Sequence, residues 1–467
     1  MITIFFNLKD KVPKYEQLYR YIKQSIEQNE LKSGEKLPSK RKLAQHLKVS
    51  VITVETAYDQ LIAEGYIKSI PKSGFYVLPY VRLKPINKRK NISVKPQNNK
   101  RLVYKVDFQT NLVDEINFPY DKLAKIEREV MLDSYPNMIN KSDYLGLYSL
   151  RENISKVLFE YRGIKTNPES IVIGSGSEHL ISLIVLLLGR DNIFGVEEPG
   201  YLKNYHLYHD YGARANTIAL DKQGINLNNI GNANVIHVTP SHQFPSGKVT
   251  TISRRIELLN WAMKKNNRYI IEDDYDSEFR FSGIPIPAMK SLDKLDKVIY
   301  MNSFSKSLSP SFRVSFMVLP DKLMKKYHES YSYFTCSVPV ITQLVLNQFI
   351  AKREYEKHLN RMKIIYRNKR DLLINLLQSS SFNKNIEIIG EESGLHFLLK
   401  LNTKNAINIF IDSAKKRGVR LYGINEYCLE KSNILNEKLL VLGYSHLKTL
   451  DMEFAIRELE IAWKNLF

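Results

Sequence analysis

The first 80 residues carry apolar side chains at helical spacing. Leu18, Ile22 and Ile26 follow one another in four-residue steps, which predicts one buried face of a helix over 15–28. A second, short helix is predicted to begin after Ser39, whose hydroxyl is suited to cap the first N–H groups of a helix. The two helices predict a small, mainly helical domain at this end of the chain.

A third helix and a hairpin complete this pattern. The third helix is predicted over 51–64, ending at Gly65. Apolar and polar residues then alternate over 66–78 around a turn at 71–74, which predicts a two-stranded wing. Three helices followed by a wing are typical of a winged helix-turn-helix, whose third helix enters the major groove of DNA. An arbitrary small helical domain is the alternative interpretation.

The rest of the chain alternates apolar strand-like runs with helical patterns from about residue 106, which predicts an α/β fold with a parallel or mixed sheet. A chain of 467 residues exceeds the size of one hydrophobic core. We therefore predict a small domain over 1–79, an exposed linker over 80–104 that is rich in Lys, Asn and Pro, and a large domain over 105–467. The apolar stretch 180–188 is shorter than the roughly 20 residues of a membrane span, so we predict a buried helix and no membrane partner.

Charge is unevenly distributed along the chain, whose formal net charge is +20. Basic residues outnumber acidic ones by five in 1–80 and by eight in 81–101, so the positive potential that attracts phosphate backbones is concentrated in the first fifth. A general lysine bias is the alternative explanation. The two distant cysteines and the lack of a visible secretory signal favour the cytoplasm.

The run GEKLPSKRKLAQHLKVSVITVETAYDQLIAEGYI, from Gly34 to Ile67, resembles the GntR-type DNA-binding domain. The resemblance implies that Arg41 contacts DNA, since it matches the arginine of the family's LPS-x-R segment. Val51 stands where the family usually has a second arginine, while Thr53 is retained. The other candidate DNA contacts are Ser39, Lys40, Lys48 and Lys72.

Polar residues follow several apolar runs of the large domain, where ligands of such sheets bind. Ser175, Gly176 and Ser177 open the helix over 180–188, and small residues at a helix start expose N–H groups that hold phosphate. The segment 239–247 is a polar turn after another predicted strand. Each of these signals is weak by itself.

Two further runs end in charged residues. Residues 272–276 crowd several acids at one strand end, and like charges repel unless a cation or a protonated base neutralises them. No histidine joins this acidic run, so no metal is expected. Ser303, Lys306 and Arg313 follow another run, and a lysine beside phosphate-binding hydroxyls and an acid is what a Schiff base with an aldehyde cofactor requires.

Together these segments resemble the fold-type-I pyridoxal-phosphate enzymes, the aminotransferase superfamily, over roughly 105–467. The resemblance implies that Lys306 forms the internal aldimine and that Asp273 pairs with the pyridine nitrogen. It also implies that Tyr275 bonds the phenolic oxygen and Tyr201 stacks on the ring. The implied phosphate ligands are Ser175, Gly176, Ser177, Ser303 and Arg313.

The stretches IIEDDYDSEF, VIYMNSFSKSL, PSHQFPSG and SGLHF look like the MocR family, in which a GntR-type head precedes an aminotransferase-like body. The resemblance implies a cytoplasmic, homodimeric transcription regulator that binds operator DNA and pyridoxal 5'-phosphate.

Two substitutions separate this chain from relatives that bind amino acids. His446 and Lys203 stand where arginines hold carboxylates, and neither reproduces the planar fork of arginine. Efficient transamination is therefore not expected, and two sensing hypotheses follow. Either pyridoxal phosphate itself is the signal, as in regulators of vitamin B6 synthesis, or an amine or amino acid forms an aldimine with it, using Lys203 or His446. A functional aminotransferase with an appended DNA-binding head is the alternative.

Overall fold

The computed structural model describes residues 2–7, 12–80, 104–133, 140–281, 286–429 and 438–467. The chain forms two compact units, Met1–Lys100 and Arg101–Phe467, and each is described by itself. Almost all of the predicted linker over 80–104 lies outside the described residues.

The small unit is the predicted winged helix-turn-helix. Its elements are α1 (Lys14–Glu27), β1 (Lys36–Leu37), α2 (Lys40–Leu47), α3 (Val51–Ala63), β2 (Ile67–Ile70) and β3 (Gly74–Val77). Leu18, Ile22 and Ile26 are buried, and the Ser39 hydroxyl accepts a hydrogen bond from the backbone N–H of Lys42, as expected of a cap. Sequence analysis missed β1, which pairs antiparallel with β3 and makes the wing part of a three-stranded sheet.

Helices and strands alternate through most of the large unit. Its helices are α4 (Tyr120–Asp133), α5 (Tyr148–Arg162), α6 (Ser177–Leu188), α7 (Leu202–Asp210), α8 (Ile252–Met263), α9 (Met289–Leu292), α10 (Phe304–Ser307), α11 (Asp321–Tyr331), α12 (Val340–Ala351), α13 (Glu354–Ser379), α14 (Ile407–Lys416) and α15 (Thr449–Trp463). Its strands are β4 (Val106–Asp107), β5 (Ile171–Gly174), β6 (Ile193–Glu198), β7 (Arg214–Asp221), β8 (Gly224–Ile225), β9 (Val235–Val238), β10 (Tyr269–Asp273), β11 (Val298–Ser303), β12 (Ser315–Val318), β13 (Ile386–Ile389), β14 (His396–Leu401), β15 (Val419–Arg420), β16 (Tyr422–Gly423) and β17 (Leu439–Gly443). None of the helices described is long and apolar enough to cross a bilayer.

An eight-stranded mixed sheet forms the centre of this unit, in the order β5-β12-β11-β10-β9-β6-β7-β8. The pairs from β11 to β7 are parallel, while β12 is antiparallel to both β11 and β5. Strands β5, β6, β9, β10 and β11 therefore run in one direction and end at the same edge. A four-stranded antiparallel sheet in the order β13-β14-β17-β16 is separate from it.

Helices cover both faces of the large sheet, as the alternation along its strands requires. On β5, Val172 packs in the same apolar cluster as α6, whereas Ile171 and Ile173 pack with α5. The apolar stretch 180–188 is thus a largely buried helix of the core. Because the sheet is packed on both faces, its strand ends offer fixed positions to any group that binds at that edge.

Candidate functional site

A cavity of about 220 Å³ lies at the edge where the parallel strands end. Its lining combines two lysines, an arginine, two acids, two tyrosines and the start of α6. The residues around it are Asn111, Gly176, Ser177, Glu178, Tyr201, Lys203, Asn204, Thr239, Phe244, Asp273, Tyr275, Ser303, Ser305, Lys306, Pro310 and Arg313. Most of the sequence-predicted site residues of the large unit therefore meet in one place.

Lys306 lies in the short helix α10, directly after β11. Its Nζ donates a hydrogen bond to Oδ1 of Asn111, a residue from a distant segment that sequence analysis missed. Burial removes the amine from water and lowers its pKa to about 8, although the negative charge of Asp276 opposes this shift. A substantial uncharged fraction at neutral pH makes this amine a better nucleophile than an exposed lysine.

Asp273, at the end of β10, is oriented by a histidine from the neighbouring strand. The Asp273 Oδ2 lies 3.3 Å from Nε2 of His237, and Nδ1 of that ring lies 2.7 Å from the hydroxyl of Tyr208. His237 and Tyr208 are both buried. Sequence analysis missed this relay because His237 belongs to β9, 36 residues away along the chain.

Two acids of the run 272–276 are compensated by buried arginines. Arg162 Nε lies 2.7 Å from Asp274 Oδ2, and this ion pair is almost fully buried. Arg255 Nη1 lies 3.9 Å from Glu272 Oε1, also without solvent exposure. The cations come from α5 and α8, so the compensation that the sequence analysis required is supplied by distant arginines.

Two histidines also reach this run, so the interpretation that none joins it is wrong. His242 Nδ1 lies 2.8 Å from Asp276 Oδ2, and the rings of His242 and His396 are 4.7 Å apart. One potential ligand atom of each of these three buried residues lies within 4.8 Å of the others. Tyr275 donates a hydrogen bond to the carbonyl of His242 at 3.0 Å. Three sequence motifs therefore meet at His242, namely PSHQFPSG, IIEDDYDSEF and SGLHF.

The opposite wall of the cavity is built for an anion. Gly176 has a φ of +94°, and a Cβ at this position would lie 3.1 Å from Nη2 of Arg313. The same Nη2 donates to the carbonyl of Ser175 at 3.1 Å and to Glu178 Oε2 at 3.2 Å. The Ser303 hydroxyl accepts from the N–H of Ser305 and donates to its hydroxyl. A loop of small residues, hydroxyls and a guanidinium matches the oxygens of a phosphate group.

Glu178 bridges the basic residues at the cavity entrance. Its Oε1 accepts a hydrogen bond from Lys203 Nζ and its Oε2 pairs with Arg313. Hydrogen bonding to Lys203 is the main reason that the pKa of Glu178 is lowered. Tyr201 contacts the ring of Phe244 edge to face at 5.8 Å, with part of its own ring accessible. The sequence analysis did not single out Glu178 or Phe244.

The structure separates the two effector candidates. Lys203 lines the cavity, whereas His446 is not among the described residues that line it. His446 Nε2 lies 2.9 Å from the backbone carbonyl of Asp107, and burial lowers the pKa of its ring. A hydrogen bond to backbone in a buried position makes His446 part of the packing.

The candidate DNA contacts of the small unit are exposed, except for Lys40 and Thr53, which are partly buried. Arg41, Lys48 and Lys72 are exposed. Lys40 is partly buried because its Nζ pairs with Glu55 at 2.8 Å and with Asp59 at 3.3 Å, both on α3. Ser39 caps α2. The Thr53 hydroxyl lies 2.8 Å from that of Ser50, which caps α3.

Two family models match the chain: residues 14–77 match the bacterial regulatory proteins of the gntR family, and residues 107–436 match the aminotransferases of class I and II. The chain is 37% identical to the uncharacterized HTH-type transcriptional regulator YdeL of Bacillus subtilis over 99% of both proteins. It is 26% identical to the probable rhizopine catabolism regulatory protein MocR of Rhizobium meliloti, over 97% of this chain and 94% of that one.

Identity to the HTH-type pyridoxine biosynthesis transcriptional regulator PdxR of Corynebacterium glutamicum is 27%, over 88% of both chains. Among solved structures, the kynurenine aminotransferase of Pyrococcus horikoshii superposes with a TM-score of 0.68 at 24% identity, covering 77% of this chain and 90% of its own. At that identity the superposition establishes the fold alone.

Proposed function

Since the chain belongs to the MocR-type regulators, in which a gntR-family domain precedes an aminotransferase-like domain, we propose that its large unit binds pyridoxal phosphate and that this ligand governs DNA binding by the small unit. The observation that carries the proposal is the cavity in which Lys306 faces an acid, two tyrosines and an anion-binding loop.

The residues present fit the cofactor at both of its ends. At the phosphate end, Gly176 leaves room that a Cβ would take from Arg313, whose guanidinium offers a planar fork to phosphate oxygens. Ser303 and the N–H groups that open α6 add donors around the same volume. At the ring end, Asp273 lines the same cavity as Tyr201, whose side chain is partly accessible for stacking.

When bound, pyridoxal phosphate supplies an aldehyde that a primary amine captures and a ring that accepts electrons. Lys306 provides that amine, partly uncharged at neutral pH because of its burial. Asp273 would pair with the protonated pyridine nitrogen, and His237 lies within hydrogen-bonding distance of the Asp273 carboxylate and would keep it in place. Tyr275 lines the cavity, and its hydroxyl, which donates to the carbonyl of His242, would turn toward the phenolic oxygen of a bound cofactor.

The arrangement favours pyridoxal phosphate itself as the signal over an amino acid. The two side chains predicted to hold a carboxylate effector are both engaged, since Lys203 is bonded to Glu178 and His446 is bonded to backbone. The similarity to a regulator named for pyridoxine biosynthesis supports the same choice. An amine or amino acid that is captured by the bound cofactor is the second candidate, and Lys203 is the predicted effector contact that lines the cavity. We also propose a homodimer, which would offer two heads to paired half-sites.

The first experiment compares the visible absorbance of the full chain and of Lys306→Ala, each titrated with pyridoxal phosphate. The wild type is expected to develop the band of the lysine-bound cofactor, and the variant is not. Affinity for DNA is then measured with and without cofactor, and again with a panel of amines and amino acids. A band in neither protein contradicts cofactor binding, and DNA affinity that is indifferent to every ligand contradicts sensing.

Transamination is tested in the same preparation. Release of a keto acid from any amino acid of the panel at an enzymatic rate would favour the aminotransferase alternative. We expect none, because the cations that line the described cavity are Lys306, which would capture the cofactor, Arg313, which would hold its phosphate, and Lys203, which is paired with Glu178.

A further inference from the structure

The first turn of α3 presents apolar side chains to solvent. Val51 is 42% exposed and Ile52 is 72% exposed, although the opposite face of the helix is buried through Val54, Ala57 and Tyr58. In a helix-turn-helix, the amino-terminal residues of this helix approach the base edges in the major groove. Two adjacent branched apolar residues therefore occupy the positions that read bases.

The polar side chains of the same helix are already engaged. Glu55 and Asp59 pair with Lys40, so their carboxylates are held by a cation on α2. The Thr53 hydroxyl is bonded to Ser50, and the Thr56 hydroxyl donates to the carbonyl of Ile52. In the first two turns of α3, the described polar side chains are engaged within the protein, while Val51 and Ile52 are exposed. The helix therefore presents mainly apolar surface to a base edge.

Only one base edge in the major groove is apolar, namely the 5-methyl group of thymine. The surroundings are cationic, with Arg41, Lys42 and Lys48 exposed nearby in the chain, so phosphate attraction brings the apolar turn into the groove. We propose that Val51 and Ile52 recognise thymine methyl groups in the operator and that this contact determines much of its sequence preference. The proposal rests on DNA binding by the small unit and specifies which feature of DNA is read.

The test begins with full-length protein and a randomised duplex library, from which bound sequences are selected. In the duplex that the protein binds most tightly, each thymidine is replaced in turn by deoxyuridine. This change keeps every base-pairing hydrogen bond and removes only the methyl group. Burying one such group accounts for about a fourfold change in affinity. We therefore expect about fourfold weaker binding at one or more thymines and no change at the others.

The variant Ile52→Ala separates methyl recognition from general shape. It removes a largely exposed side chain, so the fold is retained, and melting of the free protein verifies this. The variant is expected to bind the thymine duplex about as weakly as the wild type binds the uracil duplex, and to lose the distinction between them. Ile461→Ala, which removes an isoleucine that is 52% exposed in the large unit, is the matched control and is expected to bind both duplexes like the wild type.

Three results would overturn the proposal. Equal binding of the thymine and uracil duplexes by the wild type at every thymine shows that methyl groups are not read, and equal weakening of both duplexes in Ile52→Ala shows that Ile52 does not read them. If no sequence is enriched at all, DNA binding by the small unit fails, and methyl recognition fails with it. The first two results leave DNA binding intact, so the two failures are distinguishable.

Discussion

Replacing Asn111 by Asp is expected to slow cofactor capture by changing the charge of Lys306. The pKa of this amine is lowered from 10.5 to about 8 by burial, so its uncharged fraction at pH 7 is about 300 times that of an ordinary lysine. Asn111 Oδ1 accepts a hydrogen bond from this amine. A carboxylate at this position favours the charged form and raises the pKa by about 1 to 3 units, which lowers the reactive fraction at pH 7 about tenfold to a thousandfold.

The assay is the initial rate of pyridoxal-phosphate capture between pH 6 and 10.5, followed by the visible band of the full chain. The wild-type rate is expected to rise with a midpoint near pH 8, and that of Asn111→Asp at least one unit higher. Asn111→Gly is the control, because it removes the amide without adding charge and suits the left-handed φ of +74° at this position. A wild-type midpoint near 10.5, or an Asn111→Asp midpoint no higher than that of the wild type, would refute the reasoning.

The same shift affects stability in a defined direction. The unfolded chain keeps the Lys306 proton up to about pH 10.5, whereas the folded chain releases it near pH 8. The unfolded state therefore binds more protons within this window, and the contribution of Lys306 to the free energy of unfolding rises with pH across it.

Three further predictions concern other parts of the molecule. Arg162→Met leaves the buried carboxylate of Asp274 unpaired and is expected to lower the free energy of unfolding by about 3–5 kcal/mol, measured by urea denaturation. Glu178→Gln releases Arg313 and is expected to tighten phosphate or cofactor binding severalfold, measured by calorimetry. Arg41→Ala is expected to weaken binding to all DNA sequences and to reduce the salt slope of log K by about one, measured by fluorescence anisotropy.

Each of these has its own control. The ion pair between Arg417 and Glu458 is partly exposed, so Arg417→Met is expected to cost less than about 1 kcal/mol; equal losses for both arginines would contradict the role of burial. Unchanged or weaker phosphate binding by Glu178→Gln would show that the acid does not compete with the ligand. A loss in Arg41→Ala confined to one DNA sequence would indicate a base contact instead of a phosphate contact.

The two fold classes were predictable because their signals are local. Four-residue apolar steps mark α1, and runs such as that of β10 end in residues whose chemistry is visible in the sequence. The strand β1 was missed because two residues are too few to show the alternation of polar and apolar positions that marks a strand. Only its pairing with β3 defines it.

Much of the site's polar network was not predictable, since its partners come from distant segments. His237 and Asp273 are separated by 36 residues and meet only because β9 and β10 are neighbours in the sheet. Asn111 reaches Lys306 across 195 residues. His446 was proposed from its place in the sequence, but its ring is turned toward the backbone of β4.

Glu178 has a consequence for the lifetime of the ligand-free protein. A pocket that gathers cations to hold a phosphate is strained by their mutual repulsion once the phosphate departs. Here an acid of the chain itself, Glu178, accepts hydrogen bonds from both Arg313 and Lys203 and offsets their positive charge. Under the proposed function, scarcity of the ligand would then leave these two cations paired within the chain, which a sensor of that scarcity requires.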